Sequence, residues 1–484
     1  MSHNPASDVR PGTAARRPVL PPVELAAGLA LLLWGLYQSF WNLGAANYNA
    51  DEPIYLQAGW AYVHGDFSLN REHPPTAKYL FGLVQVIGGE GALSGRVLVG
   101  VLTVLAGVII YFWVRREFGW IGALAAAGFW LVLPHGVSSG VRIDRFALLE
   151  PVMVFFAIAG MAAAWRWFRT RSWWWLALSA VAMALSVTSK LSTIVLLPVV
   201  VLLPVLEKRW RDALLGAVVF LAIFAVVFVL VYLPLGIRSA IGYMIDFQRT
   251  HDTLGHPVVV GGDVYAHPPW WANLLFSVDG MGVVAVVVLL AGTVAAFFAR
   301  RRQLPLYLGA AVALLWIFYL GVSAIALTHY YYAWVWLFCV LAGIGIAVLV
   351  AHARDRARTT ATRILAAALL VLAAGCGAYT SVSIANERAT GVALVVPALD
   401  DRGAPNGGIL VAGMAPWEYS PYFAGRETTD ASSATLVAVA TKDSPRFPID
   451  PAVTALLDSR AADFDVVQLD DVTLHILRSA ETAR

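Results

Sequence analysis

The sequence predicts an all-α polytopic membrane protein of about eleven transmembrane helices, with a small C-terminal α/β domain outside the membrane. Three observations carry this. Of 484 residues, 59% are hydrophobic and 13% charged, with mean hydropathy +0.69, whereas soluble chains run nearer about 45–50% apolar and about 25% charged. Apolar runs close to the about 20 residues that cross a bilayer recur along the first four-fifths of the chain. From residue 383 onward the composition turns: 14 Asp/Glu stand against 8 Lys/Arg, a net −6, while the remainder carries +9.

The runs fall at 22–42, 94–114, 119–135, 146–165, 173–188, 191–206, 213–234, 280–299, 304–326, 331–350 and 362–382, each ended by charges or by Gly, Pro or Asn. The connection at 189–190 reads either as a short loop or as a break in one long helix. Residues 1–21 form a Pro/Ala/Arg-rich tail without periodicity, expected to be disordered and cytoplasmic. The first run reads as a span rather than a signal peptide, because it is long and ends in Trp34, Tyr37 and Trp41, which suit an interfacial anchor. Alternate connections and the N-terminal tail together hold 18 Lys/Arg, and the opposite connections within 43–330 hold eight. Positive loops stay cytoplasmic, so the N-terminus is expected inside and the C-terminus outside.

Residues 383–484 are long enough for one small core. Ile409–Ala412 and Thr435–Val439 read as buried strands, and 451–462 as a helix opened by Asp450-Pro451. Val466–Leu469 and Val472–Ile476 read as a strand pair turned at Asp470-Asp471. Nucleic-acid binding is excluded as the main function, because a net charge of +3 leaves little basic surplus and the Lys/Arg sit beside apolar segments. Cys339 and Cys376, the only cysteines, both fall in apolar runs and read as small buried side chains.

Eleven spans fit a transporter, a channel, a receptor or an enzyme, so the outside loops must discriminate. No related halves are evident, and nearly all acids lie at span ends or in outside loops, which favours a site at the outer membrane face over a carrier's midplane site. The first outside loop, 43–93, is long enough to be functional. It carries Asp51-Glu52-Pro53 and Tyr55, then Glu72-His73-Pro74-Pro75 and Lys78. Between these groups 53–64 suits a helix lying in the interface. Asp51 reads equally as that helix's N-cap and as a general base, since a carboxylate can take a hydroxyl proton while nearby cations hold a phosphate. His73-Pro74-Pro75 has the bland reading of a rigid extended turn.

The second outside loop, 136–145, carries Ser138-Ser139-Gly140-Val141-Arg142-Ile143-Asp144-Arg145. Asp144 there is either a salt-bridged cap or a second acid of the same cleft. Glu150 lies one turn deeper and needs a partner, with Arg142 or Arg145 as candidates. In the loop 236–279, Arg249 is a candidate cation. His256 and His267 with Asp252 or Asp263 are weak metal candidates without tight ligand spacing, and a wet loop resting aromatic residues on the bilayer is the simpler account. His329-Tyr330 reads as aromatic belt or as part of a head-group site. The exposed-looking Trp417, Tyr419 and Tyr422 fit either sugar stacking or a small core.

As an ordered set, Asp51-Glu52 with Tyr55, Glu72-His73-Pro74-Pro75 with Lys78, Arg142 with Asp144, Ser189-Lys190 and His329-Tyr330 resemble the GT-C glycosyltransferases that use a polyprenyl-phosphate sugar. The closest likeness is to the protein O-mannosyltransferase and aminoarabinose-transferase branch, and it covers 22–382. It implies an inverting transfer of mannose or another hexose or pentose from a lipid donor in the bilayer to an extracytoplasmic protein, lipid or polysaccharide. By the same resemblance Asp51, Glu52 and Asp144 are catalytic, Asp51 being the base. Tyr55, His73, Lys78, Arg142, Lys190, Arg249, His329 and Tyr330 would hold the donor phosphate and lipid, and Glu72, His256 and His267 the acceptor or a metal. A divalent cation is the one cofactor candidate. The Glu-His-Pro-Pro run combines the Glu-Lys-Pro-Pro form of one branch with the His-Pro-Pro form of the other, which leaves sugar and acceptor open. A transporter or flippase of a lipid-linked or polar solute is the alternative reading.

Overall fold

The computed structural model describes residues 21–49, 51–136, 142–352, 359–403, 407–423, 425–431, 434–442 and 444–478. Ser138 to Val141 lie outside them. Among the described residues, seven helices are long and apolar enough to cross a membrane: Pro22–Phe40, Ala92–Val132, Leu149–Thr170, Trp210–Leu235, Gln303–Val322, Tyr332–His352 and Thr360–Ala385. The pair Ala272–Met281 and Val283–Ala296, bent through 108°, supplies an eighth if it is one span. The chain is a multi-pass membrane protein.

The expected eleven runs and this count differ for three physical reasons. The runs 94–114 and 119–135 both lie in Ala92–Val132, which Gly119 interrupts with φ 79° and ψ 177°, a backbone that glycine adopts without a Cβ penalty. The indole Nε1 of Trp130 donates to the Thr103 carbonyl at 3.0 Å, so the two arms lie side by side as a hairpin. The run 173–188 is a helix of 15 residues, Trp173–Val187. The run 191–206 is a string of short turns, Leu191–Leu196, Leu197–Val201 and Leu203–Glu207, because Pro198 and Pro204 supply no N–H to continue a helix. Lys190 between them has extended backbone, so 189–190 is a true break.

Tyr332–His352 is the axis of the bundle: most of it is buried, whereas Trp210–Leu235 leaves Leu214, Val218 and Leu230 exposed for lipid. Helix Pro22–Phe40 is bound to Thr359–Ala385 by polar contacts, with Trp34 Nε1 donating to Ser381 Oγ at 2.8 Å and Gln38 Nε2 to the Gly377 carbonyl at 2.9 Å. The helices of the first loop are Glu52–Val63 and Thr76–Gly88. They cross so closely that a Cβ on Gly59 would stand 2.6 Å from the Lys78 carbonyl oxygen.

Beyond the last long helix, five strands form a mixed sheet. In spatial order they are Glu427–Thr428, Ile409–Ala412, Leu436–Ala440, Val472–Leu477 and Phe464–Leu469. The first three are parallel and the last two join antiparallel. Alternation along Leu436–Ala440 sends Leu436 and Ala438 against Val395, Leu399 and Phe423 on one face. Val437 goes to the other, against Val453 and Phe464. This unit is seated on the first-loop end of the bundle: Asn47 Nδ2 donates to the Thr390 carbonyl at 3.1 Å, the Tyr48 N–H to Tyr422 Oη at 2.6 Å, and Arg145 Nη2 reaches Glu387 at 3.2 Å.

The crossing of the two loop helices is testable. Gly59→Ala puts a methyl against fixed backbone and is expected to cost about 1–3 kcal/mol. Gly242→Ala, in a helix with open space at that position, is expected to leave stability unchanged or raise it by up to about 1 kcal/mol. Thermal unfolding of both variants in detergent measures the difference; an unchanged midpoint for Gly59→Ala would contradict the tight crossing.

Candidate active site

The adjacent acids of the first loop have opposite fates. Glu52 is fully buried and accepts from Arg96 Nε at 2.8 Å, from Arg96 Nη2 at 2.7 Å and from the Ala147 N–H at 2.9 Å. Arg96 spends its other N–H groups on the carbonyls of Leu43, Ala46 and Asn47. One bidentate pair therefore ties the first loop to a transmembrane helix and, through the Ala147 N–H, to the segment before Leu149–Thr170. A carboxylate so occupied is not free to take a proton, so the geometry sets Glu52 apart from its expected catalytic role.

Asp51 stands at the N-cap of Glu52–Val63, yet its side chain makes no capping bond. It takes part in no ion pair among the described residues, and its one side-chain partner there is Tyr55 Oη, at 3.5 Å from Oδ2. The cap explanation thus fails for Asp51. Tyr55 is buried, with its ring edge-on to His73 at 5.6 Å between centroids. Burial, and then the charges of Asp51 and Glu150, push the Tyr55 phenol well above its ordinary pKa, so it stays a donor. Burial and the neighbouring charges of Lys190 and Lys78 lower the His73 imidazole to about 3, so it is neutral at physiological pH.

The cationic groups near Asp51 come from farther along the chain, close enough for the Asp51 charge to act on Lys190 and Tyr330. At the break, Lys190 Nζ pairs with Glu150 Oε1 and lies 4.0 Å from the centre of the Tyr330 ring. His329 Nε2 approaches the same Glu150 oxygen at 3.2 Å, while Glu150 Oε2 is buried without a partner. Thr76, opening the second loop helix, donates its N–H to the Thr188 carbonyl at 2.9 Å, and the two hydroxyls meet at 2.6 Å. That double contact fixes the first loop against the Lys190 break. Glu150, whose expected partners were Arg142 or Arg145, is held instead by Lys190 and His329. Its signal in the sequence was a charge one turn inside an apolar helix start, which demands a partner without naming it.

Other expected residues lie elsewhere. Arg142 and Asp144 form a buried pair, Nε to Oδ1 at 2.8 Å, and Arg142 also donates to the carbonyls of Leu131 and Leu133 and to Gln38 Oε1. Both are consumed by each other and by backbone, which is the salt-bridge reading of Asp144 and not a second cleft acid. Lys78 is buried with Nζ on the carbonyls of Asn70 and His73, the latter at 2.8 Å. Burial lowers it to about 7, and its two carbonyl contacts staple the loop turn. Glu72 accepts from Asn70 Nδ2 at 2.7 Å in that turn. Arg249 projects from Ile237–Leu254, largely exposed beside Asp246. His256 lies over His251, 5.5 Å between ring centres, and His267 is exposed. No group of three His, Cys, Asp or Glu side chains able to hold a metal exists among the described residues. Trp417 carries Arg446 at 4.8 Å, and Tyr422 rests on Tyr48.

The family model described as dolichyl-phosphate-mannose-protein mannosyltransferase matches residues 72–235. The structure of ArnT from Cupriavidus metallidurans bound to undecaprenyl phosphate superposes with TM-score 0.60 at 14% identity, over 96% of this chain and 98% of that one. The chain has the GT-C glycosyltransferase fold. The archaeal oligosaccharyltransferase AglB from Archaeoglobus fulgidus, in complex with an inhibitory peptide and a dolichol-phosphate, gives TM-score 0.56 at 11% identity, over 87% of this chain and 69% of that one. No curated protein sequence matches. Within this GT-C fold the family-model match begins at Glu72, so Asp51 and Glu52 lie outside it.

The division of labour between the two acids is measurable as stability. Glu52→Gln leaves Arg96 buried without a counter-charge and is expected to cost about 3–5 kcal/mol, while Asp51→Asn is expected to stay within about 0.5 kcal/mol. Equal losses in thermal unfolding would overturn the assignment.

Proposed function

We propose that the protein is an inverting glycosyltransferase that moves one sugar from a polyprenyl-phosphate donor to a hydroxyl of an acceptor on the extracytoplasmic side. The observation that carries this is Asp51: a half-buried carboxylate at a helix start, free of capping bonds and of ion pairs among the described residues, and close enough to Lys190 and Tyr330 for its charge to act on both. Asp51 takes the proton of the acceptor hydroxyl as its oxygen attacks the anomeric carbon. The bond from that carbon to the phosphate oxygen breaks on the opposite face, and the lipid phosphate departs with the electron pair. Lys190 stabilises the charge that gathers on the leaving phosphate, with Tyr330 and His329 beside it, so the leaving group needs no proton. Tyr55 orients Asp51, and Glu150 holds Lys190 toward the cleft.

The undecaprenyl phosphate bound to ArnT and the dolichol-phosphate bound to AglB support a lipid-linked donor. The match to the mannosyltransferase family model supports a hexose donor. The sheet-bearing C-terminal unit touches the first loop at Tyr48 through Tyr422, beside Asp51. We place it outside the membrane with the first loop, where it covers the acceptor side.

The test is transfer of labelled sugar from a panel of polyprenyl-phosphate sugars by the purified protein, supplied with membrane and cell-wall extracts. Asp51→Asn is expected to lower turnover by about 10²–10⁴-fold with unchanged folding. Lys190→Gln is expected to depress both turnover and donor binding. Full activity of Asp51→Asn would refute the mechanism, and solute flux without any covalent product would assign the protein to transport.

A further inference from the structure

A cavity lies well away from Asp51. It lies at the far end of the bundle, about 30 Å away along Tyr332–His352, a helix of 21 residues rising about 1.5 Å each. Its volume is about 470 Å³, and Arg300, Arg301, His352 and Glu117 line it together with Phe118 and Ala347.

The charges there are unbalanced. Glu117, the one acid of the lining, accepts from Trp165 Nε1 at 3.1 Å and faces Arg169 at 3.7 Å. It is therefore committed to the opposite wall. His352 engages the Val348 carbonyl through Nδ1 at 2.8 Å, leaving Nε2 available. No hydrogen bond or ion pair engages Arg300 or Arg301 among the described residues. Both arginines are exposed at the mouth of the cavity, and its floor of Phe118, Ala347 and Val348 is apolar. Immediately before them, Phe298 and Val294 are exposed on the lipid-facing side of Val283–Ala296 and its end. Two free guanidinium groups, a cavity of head-group size and an apolar wall leading into the bilayer match one kind of ligand: an amphiphile with a phosphate head and acyl chains.

We propose that this cavity binds the head group of an anionic phospholipid, at the membrane face opposite the Asp51 cleft, with Arg300 and Arg301 holding the phosphate. The site is separate from the transfer chemistry and does not depend on it. It makes the lipid composition of that leaflet a determinant of how firmly the Gly119 hairpin, the Arg300 turn and the end of the axial helix are held together.

The full-length protein in detergent, stripped of lipid and titrated with phosphatidylglycerol or phosphatidylcholine, tests this by counting bound lipid in native mass spectra and following the unfolding midpoint. Wild type is expected to retain phosphatidylglycerol preferentially and to be stabilised by it. Each of Arg300→Gln and Arg301→Gln is expected to reduce that preference about 5-fold, and Arg249→Gln, at the other end of the molecule, to leave it intact. Equal retention of both lipids by wild type, or a preference unchanged in both arginine variants, overturns the proposal. Inorganic phosphate that protects against unfolding as well as the lipid does would assign the site to a soluble phosphate and overturn the lipid. If one variant does not accumulate, the wild-type ratio and the other variant decide.

Discussion

The buried pair between Glu52 and Arg96 is the constraint on which the rest of the site depends. The loop after the first span must be held still, although irregular backbone there is full of carbonyl groups that need donors. Arg96 meets that demand from inside a transmembrane helix. Its guanidinium caps three loop carbonyls and takes Glu52 bidentately, so one side chain satisfies the backbone and fixes the helix that begins at residue 52. With Glu52 engaged by Arg96, its neighbour Asp51 keeps a carboxylate that makes no capping bond and no ion pair among the described residues.

Three buried charge clusters do three different tasks, and their burial distinguishes them. Arg142 and Asp144 neutralise each other while closing the second outside loop onto the carbonyls that end the Gly119 hairpin. Arg145, next to them, reaches Glu387 and ties the last helix to the same end. The cluster of Glu150, Lys190 and His329 is the open one: it keeps an unpartnered carboxylate oxygen and presents Lys190 beside the Tyr330 ring. A spent pair stabilises the scaffold, whereas an incompletely satisfied cluster next to a cleft is poised to take a charged ligand.

The break at Lys190 shows how local sequence makes such a cluster possible. A continuous helix would pair the backbone at residue 190 and carry the lysine round the helix surface. The prolines at 198 and 204 prevent a regular continuation, the chain passes through extended backbone at Lys190, and Thr188 is left to bond with Thr76 of the first loop. Loop and break thus meet through two hydrogen bonds, and Asp51 and Lys190 come to face one cleft.

Hydropathy alone determined that the chain spans a membrane many times, because burying so many apolar side chains without a bilayer is impossible for a chain this poor in charge. The order of motifs along it pointed to the glycosyltransferase fold, and the punctuation at Asp51-Glu52-Pro53 placed a helix that the structure has at Glu52–Val63. Sequence could not divide the roles of Asp51 and Glu52, since adjacent carboxylates are chemically alike and only Arg96, far along the chain, separates them. Nor could it tell that Lys78 and Arg142 would be used up on carbonyls and Asp144 while Lys190 stays at the cleft, or that Glu150 is its partner. Which charges are spent and which are left to act depends on distances between segments remote in sequence, and those are set by helix packing and not by the pattern of any one segment.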